Sequence, residues 1–127
     1  MGKTAAELTP EEIEKYVRTA RARMQARRRR MAARRERAWA VARRGAALLK
    51  DEFGVKRVMV FGSLCHPNLF YERSDVDLAV WGIDERKYLR AVGCLLNLDP
   101  EISIDLIEFE SARPTLRKAI EREGVEL

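Results

Sequence analysis

The feature that most constrains this fold is a long proline-free stretch that follows Pro10. From Pro10 to about Glu52 the chain consists mainly of Ala, Arg, Glu and Leu, which are good helix formers. Thr9 stands at the position of a helix cap, and Glu12 stands where a capping box places its acid. Gly54 is a natural helix end. The sequence therefore predicts one long N-terminal α-helix, which leaves only the remaining residues to build a core.

Apolar residues recur along this helix at alternating spacings of four and three, and two arginines interrupt them. The positions are Ile13, Val17, Ala20, Met24, Arg27, Met31, Arg34, Ala38, Val41, Gly45 and Leu48. This spacing is typical of a helix that packs on another helix. No segment of the chain is long enough to cover the seam over residues 13–38, so we expect homo- or hetero-oligomerisation there. The last turns, up to Leu49, are expected to dock on the core.

The net charge of +5 is divided unevenly along the chain. Residues 1–50 carry 15 Lys and Arg against 5 Asp and Glu, whereas residues 51–127 carry 10 against 15. Twelve arginines and one acid lie between Arg18 and Arg44. Three interpretations stay open: a solvated helix face, a surface for an acidic partner or for self-association, and contact with nucleic-acid phosphates.

The remainder of the chain alternates between strand and helix patterns. The strand patterns cover 57–61, 75–81 and 102–109, and the helix patterns cover 84–96 and a last segment that starts at Ser111 or Pro114 and ends at Gly124. This order predicts an α/β (α+β) fold with a three-stranded sheet flanked by helices. The expected domains are residues 1–52, the basic helix, and residues 53–127, the core.

Several classes of protein are disfavoured by composition. Two cysteines, Cys65 and Cys94, form neither a secreted disulfide framework nor a CxxC zinc site, and a single histidine, His66, makes a Ser-His-Asp triad improbable. No apolar run reaches the length of a membrane span, and the N-terminus lacks a signal-peptide pattern. We therefore expect a soluble, cytoplasmic protein with no membrane partner.

Three carboxylates carry the predicted chemistry. Residues i and i+2 of a strand face the same way, so Asp75 and Asp77 are expected side by side. Asp105 lies between apolar neighbours in a strand with a buried pattern, so it needs a cation or a donor. If the two strands pair, three like charges converge and require divalent cations. Oxygen ligands without thiols or imidazoles favour Mg²⁺ or Mn²⁺.

A glycine-serine pair offers a phosphate-binding turn to accompany the three carboxylates. Two such ions can bind a triphosphate and activate an attacking hydroxyl. Gly62 and Ser63, at the end of the first predicted strand, offer a close backbone approach and donors for phosphate. A Walker A loop, GxxxxGK[ST], is absent from the sequence.

These motifs resemble the minimal nucleotidyltransferases of the DNA polymerase β superfamily. The resemblance covers about residues 53–127 and rests on Phe61-Gly62-Ser63, on Ser74-Asp75-Val76-Asp77-Leu78-Ala79-Val80 and on Ile104-Asp105-Leu106. It implies a polymerase-β-like core in which Asp75, Asp77 and Asp105 are the catalytic metal ligands. Asp105 would also assist deprotonation of the acceptor. Gly62, Ser63 and Ser74 are the expected nucleotide-binding residues.

The resemblance also implies a function and a partner. Many family members are antitoxins paired with HEPN ribonuclease toxins, and some resemble enzymes that move AMP from ATP onto a toxin tyrosine. The expected function is therefore transfer of a nucleoside monophosphate, from ATP or another NTP, to a hydroxyl of a HEPN-type toxin. Residues 64–74 lack the glycine and the arginine that usually open this segment in the family. A non-catalytic binding antitoxin, or a nucleic-acid or protein adaptor that uses the arginine-rich helix, therefore remains an alternative.

Overall fold

The computed structural model describes residues 4–127 as a mixed α/β fold. The three helices are α1 (Pro10–Phe53), α2 (Tyr88–Leu96) and α3 (Pro114–Glu123). The four strands are β1 (Arg57–Phe61), β2 (Val76–Trp81), β3 (Ile104–Glu108) and β4 (Val125–Glu126). The predicted fold class, with a long N-terminal helix before a sheet flanked by helices, is confirmed.

Local hydrogen bonds and a glycine conformation define both ends of helix α1. The Thr9 Oγ1 accepts the N–H of Glu12 at 3.1 Å, which confirms the predicted cap. At the other end Gly54 adopts a φ of 63°, which a residue with a Cβ rarely tolerates. The N–H of Val55 then donates to the carbonyl of Leu49 at 3.3 Å and closes the helix end.

The chain forms two compact units, and the division falls inside α1. One unit ends at Ala33 and the other begins at Arg34. The domain boundary expected between residues 52 and 53 stays a prediction. Within the described residues 4–127, no helix is both long and apolar enough to cross a membrane.

The sheet has the order β3-β2-β1-β4, so β3 and β4 lie at its edges. Strand β1 is antiparallel to β2 and to β4, whereas β2 is parallel to β3. The sequence predicts three strands, and the structure adds a fourth, the two-residue β4 after α3. Two residues carry no alternating pattern, and their pairing with Met59 and Val60 arises only because α3 returns the chain to β1.

The second half of α1 packs on the sheet through small side chains, as predicted for its last turns. Its buried residues are Ala38, Val41, Ala42, Gly45, Ala46, Leu49 and Phe53. Gly45 is the position of closest approach: a Cβ there would lie 3.0 Å from Ile104 Cδ1 and 3.3 Å from Leu78 Cδ1. The only glycine inside α1 is therefore explained by the space between helix and sheet.

We predict that Gly45→Leu lowers the free energy of unfolding by about 2–3 kcal/mol, because the added side chain overpacks a filled space. Urea unfolding followed by circular dichroism measures this loss. The matched control is Ala47→Leu, at an exposed position of the same helix, which should stay within about 0.5 kcal/mol of the unsubstituted protein. Equal losses in both variants would contradict the packing argument.

Candidate functional site

A tight turn at the end of β1 lies against an acidic side chain of β2. Phe61, the last residue of β1, pairs in register with Asp77. The next residue, Gly62, has a φ of 77°, and a Cβ placed on it would lie 2.4 Å from Asp77 Oδ2. Glycine is therefore required twice, for the backbone conformation and for the space. The result is that the Gly62–Cys65 turn runs directly beside the Asp77 carboxylate.

The parallel pairing of β2 with β3 brings the second acid into place. Asp77 pairs in register with Asp105, and registered residues of neighbouring strands point to the same face. Asp75 lies two residues before Asp77, just ahead of β2. The intervening Val76 and the following Leu78 are fully buried in the core. The acidic residues thus project from the opposite face of the sheet.

The electrostatics of Asp77 reflect this crowding. Burial, together with the nearby charges of Asp105 and Asp75, raises the pKa of Asp77 to about 6, and burial is the largest of these causes. The causes of this shift include no cation that would lower the pKa of Asp77. A carboxyl group in this state gains from any cation that approaches it.

The structure corrects one premise of the sequence argument. Asp105 was expected in a buried strand, but its side chain is exposed. Strand β3 is an edge strand, so the apolar residues Ile104 and Leu106 face the core while Asp105 faces open space. Burial of a carboxylate was expected at Asp105, but it is Asp77 that is half-buried.

The donor chemistry suits a hard divalent cation, but the side chains do not form a ready-made cage. Asp75, Asp77 and Asp105 offer only oxygen donors, the type that Mg²⁺ and Mn²⁺ prefer. Over residues 4–127, no three His, Cys, Asp or Glu side chains are grouped closely enough to hold a metal ion. The chemistry of the three acids therefore fits Mg²⁺, and binding would have to draw their carboxylates together.

Ser74 lies inside the loop that joins the turn to β2. Its side chain is only 4% exposed, and its Oγ accepts the N–H of Tyr71 at 2.9 Å. The N–H of Ser74 in turn donates to the carbonyl of Tyr71 at 2.9 Å. The Ser74 hydroxyl oxygen, which the family resemblance assigns to nucleotide binding, therefore takes part in closing this loop.

Two consecutive arginines of α1 reach both ends of that loop, and sequence reasoning missed them. Arg34 Nη2 donates to the carbonyl of Ser74 at 3.3 Å and to that of Glu101 at 3.4 Å. Arg35 Nη2 donates to the carbonyl of Leu64 at 3.1 Å. The available signal was the position of Arg34 in the apolar seam, immediately before the turns that dock on the core.

These arginines carry an energetic cost. Among the described residues, the Nε atoms of Arg34 and Arg35 are buried without a hydrogen-bond partner. A buried donor left in this state costs about 1–3 kcal/mol. Arg37, one turn from Arg34, is differently placed: its Nε and Nη1 bind the carboxylates of Asp99 at 2.8 Å and Glu101 at 3.0 Å at the surface.

Two further polar side chains near the turn, His66 and Cys65, make contacts within the fold. His66 Nε2 lies 3.1 Å from Glu123 Oε2, and this hydrogen bond lowers the pKa of Glu123. The thiol of Cys65 donates to the carbonyl of Val60 at 3.4 Å, and burial raises the pKa of that thiol. A protonated, engaged thiol is a poor nucleophile. Both side chains therefore support the turn.

A groove of about 330 Å³ runs along the edge strand β3. It is lined by Tyr88, Leu106, Ile107, Glu108, Ser111 and Ala112. The hydroxyl of Tyr88 donates to the carbonyl of Leu106 at 2.6 Å. Burial raises the pKa of Tyr88, and the charges of Glu108 and Asp105 raise it further, so the hydroxyl stays protonated. Asp105 is close enough to Tyr88 for its charge to contribute to this shift.

Comparison with protein families decides the classification. The model of the polymerase beta nucleotidyltransferase family matches residues 46–127, which include both acidic strands and the glycine-serine turn. The chain belongs to this family. The resemblance predicted from the motifs is thereby confirmed, and the domain is that of a nucleotidyltransferase. No curated protein matches the chain by sequence.

Solved structures give the same fold. A toxin–antitoxin structure with AMP-PNP has a chain with 22% identity and a TM-score of 0.54, covering 64% of this chain and 67% of that one. An MntA-HepT toxin–antitoxin structure has a chain with 20% identity and a TM-score of 0.52, and the match covers 69% of each chain. The structure of a tri-AMPylated Shewanella oneidensis HEPN toxin in complex with MNT antitoxin has a chain with 19% identity and a TM-score of 0.53, and the match covers 70% of each chain. At these identities the likeness shows the fold of this nucleotidyltransferase domain.

We predict that Asp77→Asn stabilises the metal-free protein above pH 6. The folded pKa of about 6 exceeds the ordinary 3.8, so the folded state holds a proton that the unfolded state has lost between those values. Stability therefore falls as pH rises through this window, and the loss is complete above it. After allowance for solvent screening, the gain on substitution is about 1–2 kcal/mol at pH 7.5.

Chemical denaturation in EDTA at pH 7.5 and at pH 4 measures this gain, which should largely vanish at the lower pH. Glu121→Gln, at an exposed carboxylate of α3, is the matched control and should leave the unfolding free energy almost unchanged. An Asp77→Asn gain that is the same at both pH values would show that charge crowding is not its cause.

Proposed function

We propose that this nucleotidyltransferase transfers AMP from ATP to a hydroxyl of a partner protein, with Mg²⁺ or Mn²⁺, as the antitoxin of a HEPN toxin pair. The observation that carries the proposal is the register of β2: Asp77 pairs with Asp105 on one side and lies under the Gly62 turn on the other. A carboxylate pair beside a glycine turn is the arrangement that phosphoryl chemistry on a triphosphate needs.

The residues divide into two groups of roles. Asp75, Asp77 and Asp105 would hold the metal ion, which neutralises phosphate charge when bound. The backbone of Gly62 and Ser63 offers N–H donors to the triphosphate, and the missing Cβ of Gly62 leaves the approach open. Ser74 supports this arrangement by closing the loop before Asp75 rather than by contacting the nucleotide.

Asp105 suits the acceptor side of the reaction. Its exposure lets a hydroxyl from another protein reach it, and the groove along β3 gives an adjoining surface for the segment that carries this hydroxyl. The Asp105 carboxylate takes the proton from the hydroxyl as the oxygen attacks the α-phosphorus. The bond between the α-phosphorus and the bridging oxygen breaks, and pyrophosphate leaves.

The choice of AMP and of a HEPN toxin follows from the structural neighbours. One neighbouring complex contains a tri-AMPylated HEPN toxin with its MNT antitoxin, and another contains AMP-PNP. The fold that they share with this chain supports the same class of nucleotide and partner. We also propose the division of the chain into a basic helix, residues 1–52, and a nucleotidyltransferase core, residues 53–127, within the cytoplasm.

A non-catalytic antitoxin is the second candidate, and the loop after the turn favours it. Residues 64–74 lack the family's usual glycine and arginine, and the Ser74 hydroxyl is engaged with Tyr71. A protein with weak nucleotide binding could still neutralise a toxin by covering it. The two candidates differ in whether neutralisation depends on the acids.

The double variant Asp75→Asn with Asp77→Asn should lower AMP transfer by about 100-fold or more, because it removes two of the three charges that hold the metal. Labelled ATP, Mg²⁺ and a candidate HEPN toxin are the reactants, and incorporation of label into the toxin is the measurement. Glu121→Gln is the control and should retain full transfer. Addition of Mg²⁺ should raise the melting temperature of the unsubstituted protein and of the control, but not of the double variant.

Two results would overturn the catalytic proposal. One is the absence of any label transfer by the unsubstituted protein together with no metal-induced shift. The other is a double variant that neutralises the toxin as fully as the unsubstituted protein does, which would favour the binding antitoxin.

We further propose that the exposed apolar residues of the first unit mediate oligomerisation. Ile13, Val17 and Met24 are 42–55% exposed and recur on the predicted seam. Changing all three to Ser should lower the mass measured by light scattering, because the helix loses its apolar contact. The control is Leu89→Ser, at an 80% exposed position of α2. A single-chain mass for the unsubstituted protein, measured alone and with its toxin, would contradict this proposal. Salt-dependent binding of nucleic acid would then be the explanation for the arginines.

A further inference from the structure

We propose that Arg34 and Arg35 are positioning residues that fix the two chain segments of the nucleotidyl-transfer site, one segment for each arginine. The inference rests on the proposed function for its consequence in catalysis, but its structural content can be tested separately. Neither side chain touches the three acids in any contact that the structure describes, so both act through the backbone.

Arg35 contacts the backbone of the glycine turn. Arg35 donates to the carbonyl of Leu64, which follows Gly62 and Ser63 directly. Leu64 is itself fully buried, and the N–H of His66 returns to the carbonyl of Ser63 at 3.0 Å. The turn that faces Asp77 is therefore held at its far end by an arginine from α1.

Arg34 contacts the backbone next to the first acid, Asp75. Arg34 donates to the carbonyl of Ser74, the residue immediately before Asp75. The same nitrogen contacts the carbonyl of Glu101, in the segment that leads into β3. One guanidinium thus ties the backbone ahead of Asp75 to the backbone ahead of the strand of Asp105.

Packing alone does not explain Arg34 and Arg35. The Nε atoms of both arginines are buried without a partner, whereas an apolar side chain of similar length would fill the space without that cost. Each arginine therefore keeps one donor without a partner in the buried space that it occupies. Their useful contribution is the pair of carbonyl contacts at opposite ends of the 64–74 loop, the segment in which the family's usual arginine is absent.

The experiment compares Arg34→Met and Arg35→Met, which keep the length of the side chain and remove its donors. Residue-resolved hydrogen exchange of the metal-free protein is the first readout and needs no activity. Arg35→Met should speed exchange of the His66 amide at least tenfold and leave the Tyr71 and Ser74 amides unchanged. Arg34→Met should speed exchange of the Tyr71 and Ser74 amides at least tenfold and leave the His66 amide unchanged. Exposed Arg44, on the same helix, gives the control Arg44→Met, which should change neither set.

The second readout is kinetic. Both Met variants should raise the KM for ATP or lower kcat by fivefold or more while the melting temperature stays the same or rises. Lysine variants, which restore a donor, should recover part of the loss. If the unsubstituted protein transfers no AMP, the proposed function fails and the exchange pattern alone decides this inference. Exchange that is unchanged, or that rises equally at all three amides in both variants, overturns it.

Discussion

The parallel pairing of β2 with β3 is the interaction on which the rest of this structure depends. It sets Asp77 opposite Asp105 in register and leaves Asp105 on an open edge. The antiparallel pairing of β2 with β1 then brings the Gly62 turn onto the same carboxylate. A slip of one residue in either register would turn Asp77 toward the core, because side chains alternate along a strand. The buried Val76 and Leu78 oppose such a slip, since it would expose them.

Much of this site could be predicted from the sequence because the signals are local. The i and i+2 spacing of Asp75 and Asp77, and the glycine-serine pair after an apolar strand, require no knowledge of distant parts of the chain. The exposure of Asp105 could not be predicted in this way. It follows from the edge position of β3, which is a property of the whole sheet and not of the residues around Asp105.

The fourth strand and the arginine contacts escaped prediction for the same physical reason. Strand β4 has two residues, and its pairing with β1 exists only after α3 has packed. Arg34 and Arg35 belong to an arginine-rich segment of α1 in which the same residue type occurs in different environments. Arg34 and Arg35 are half-buried over backbone carbonyls, while Arg44 is exposed. Composition cannot separate them, because the difference arises from the face of α1 that meets the core.

The structure tolerates two unfavourable features, and both lie around the same site. Asp77 is half-buried beside like charges, which raises its pKa to about 6, and two arginine Nε atoms are buried without partners. Selection for stability alone would remove both, since an asparagine at Asp77 and apolar residues at the arginine positions relieve each cost. Of the two costs, the one at Asp77 is the cost that a bound cation would offset. Under the proposed function, charge neutralisation at Asp77 and a fixed backbone on both sides of it would serve the protein with metal ion and triphosphate bound, at a cost in stability to the free protein.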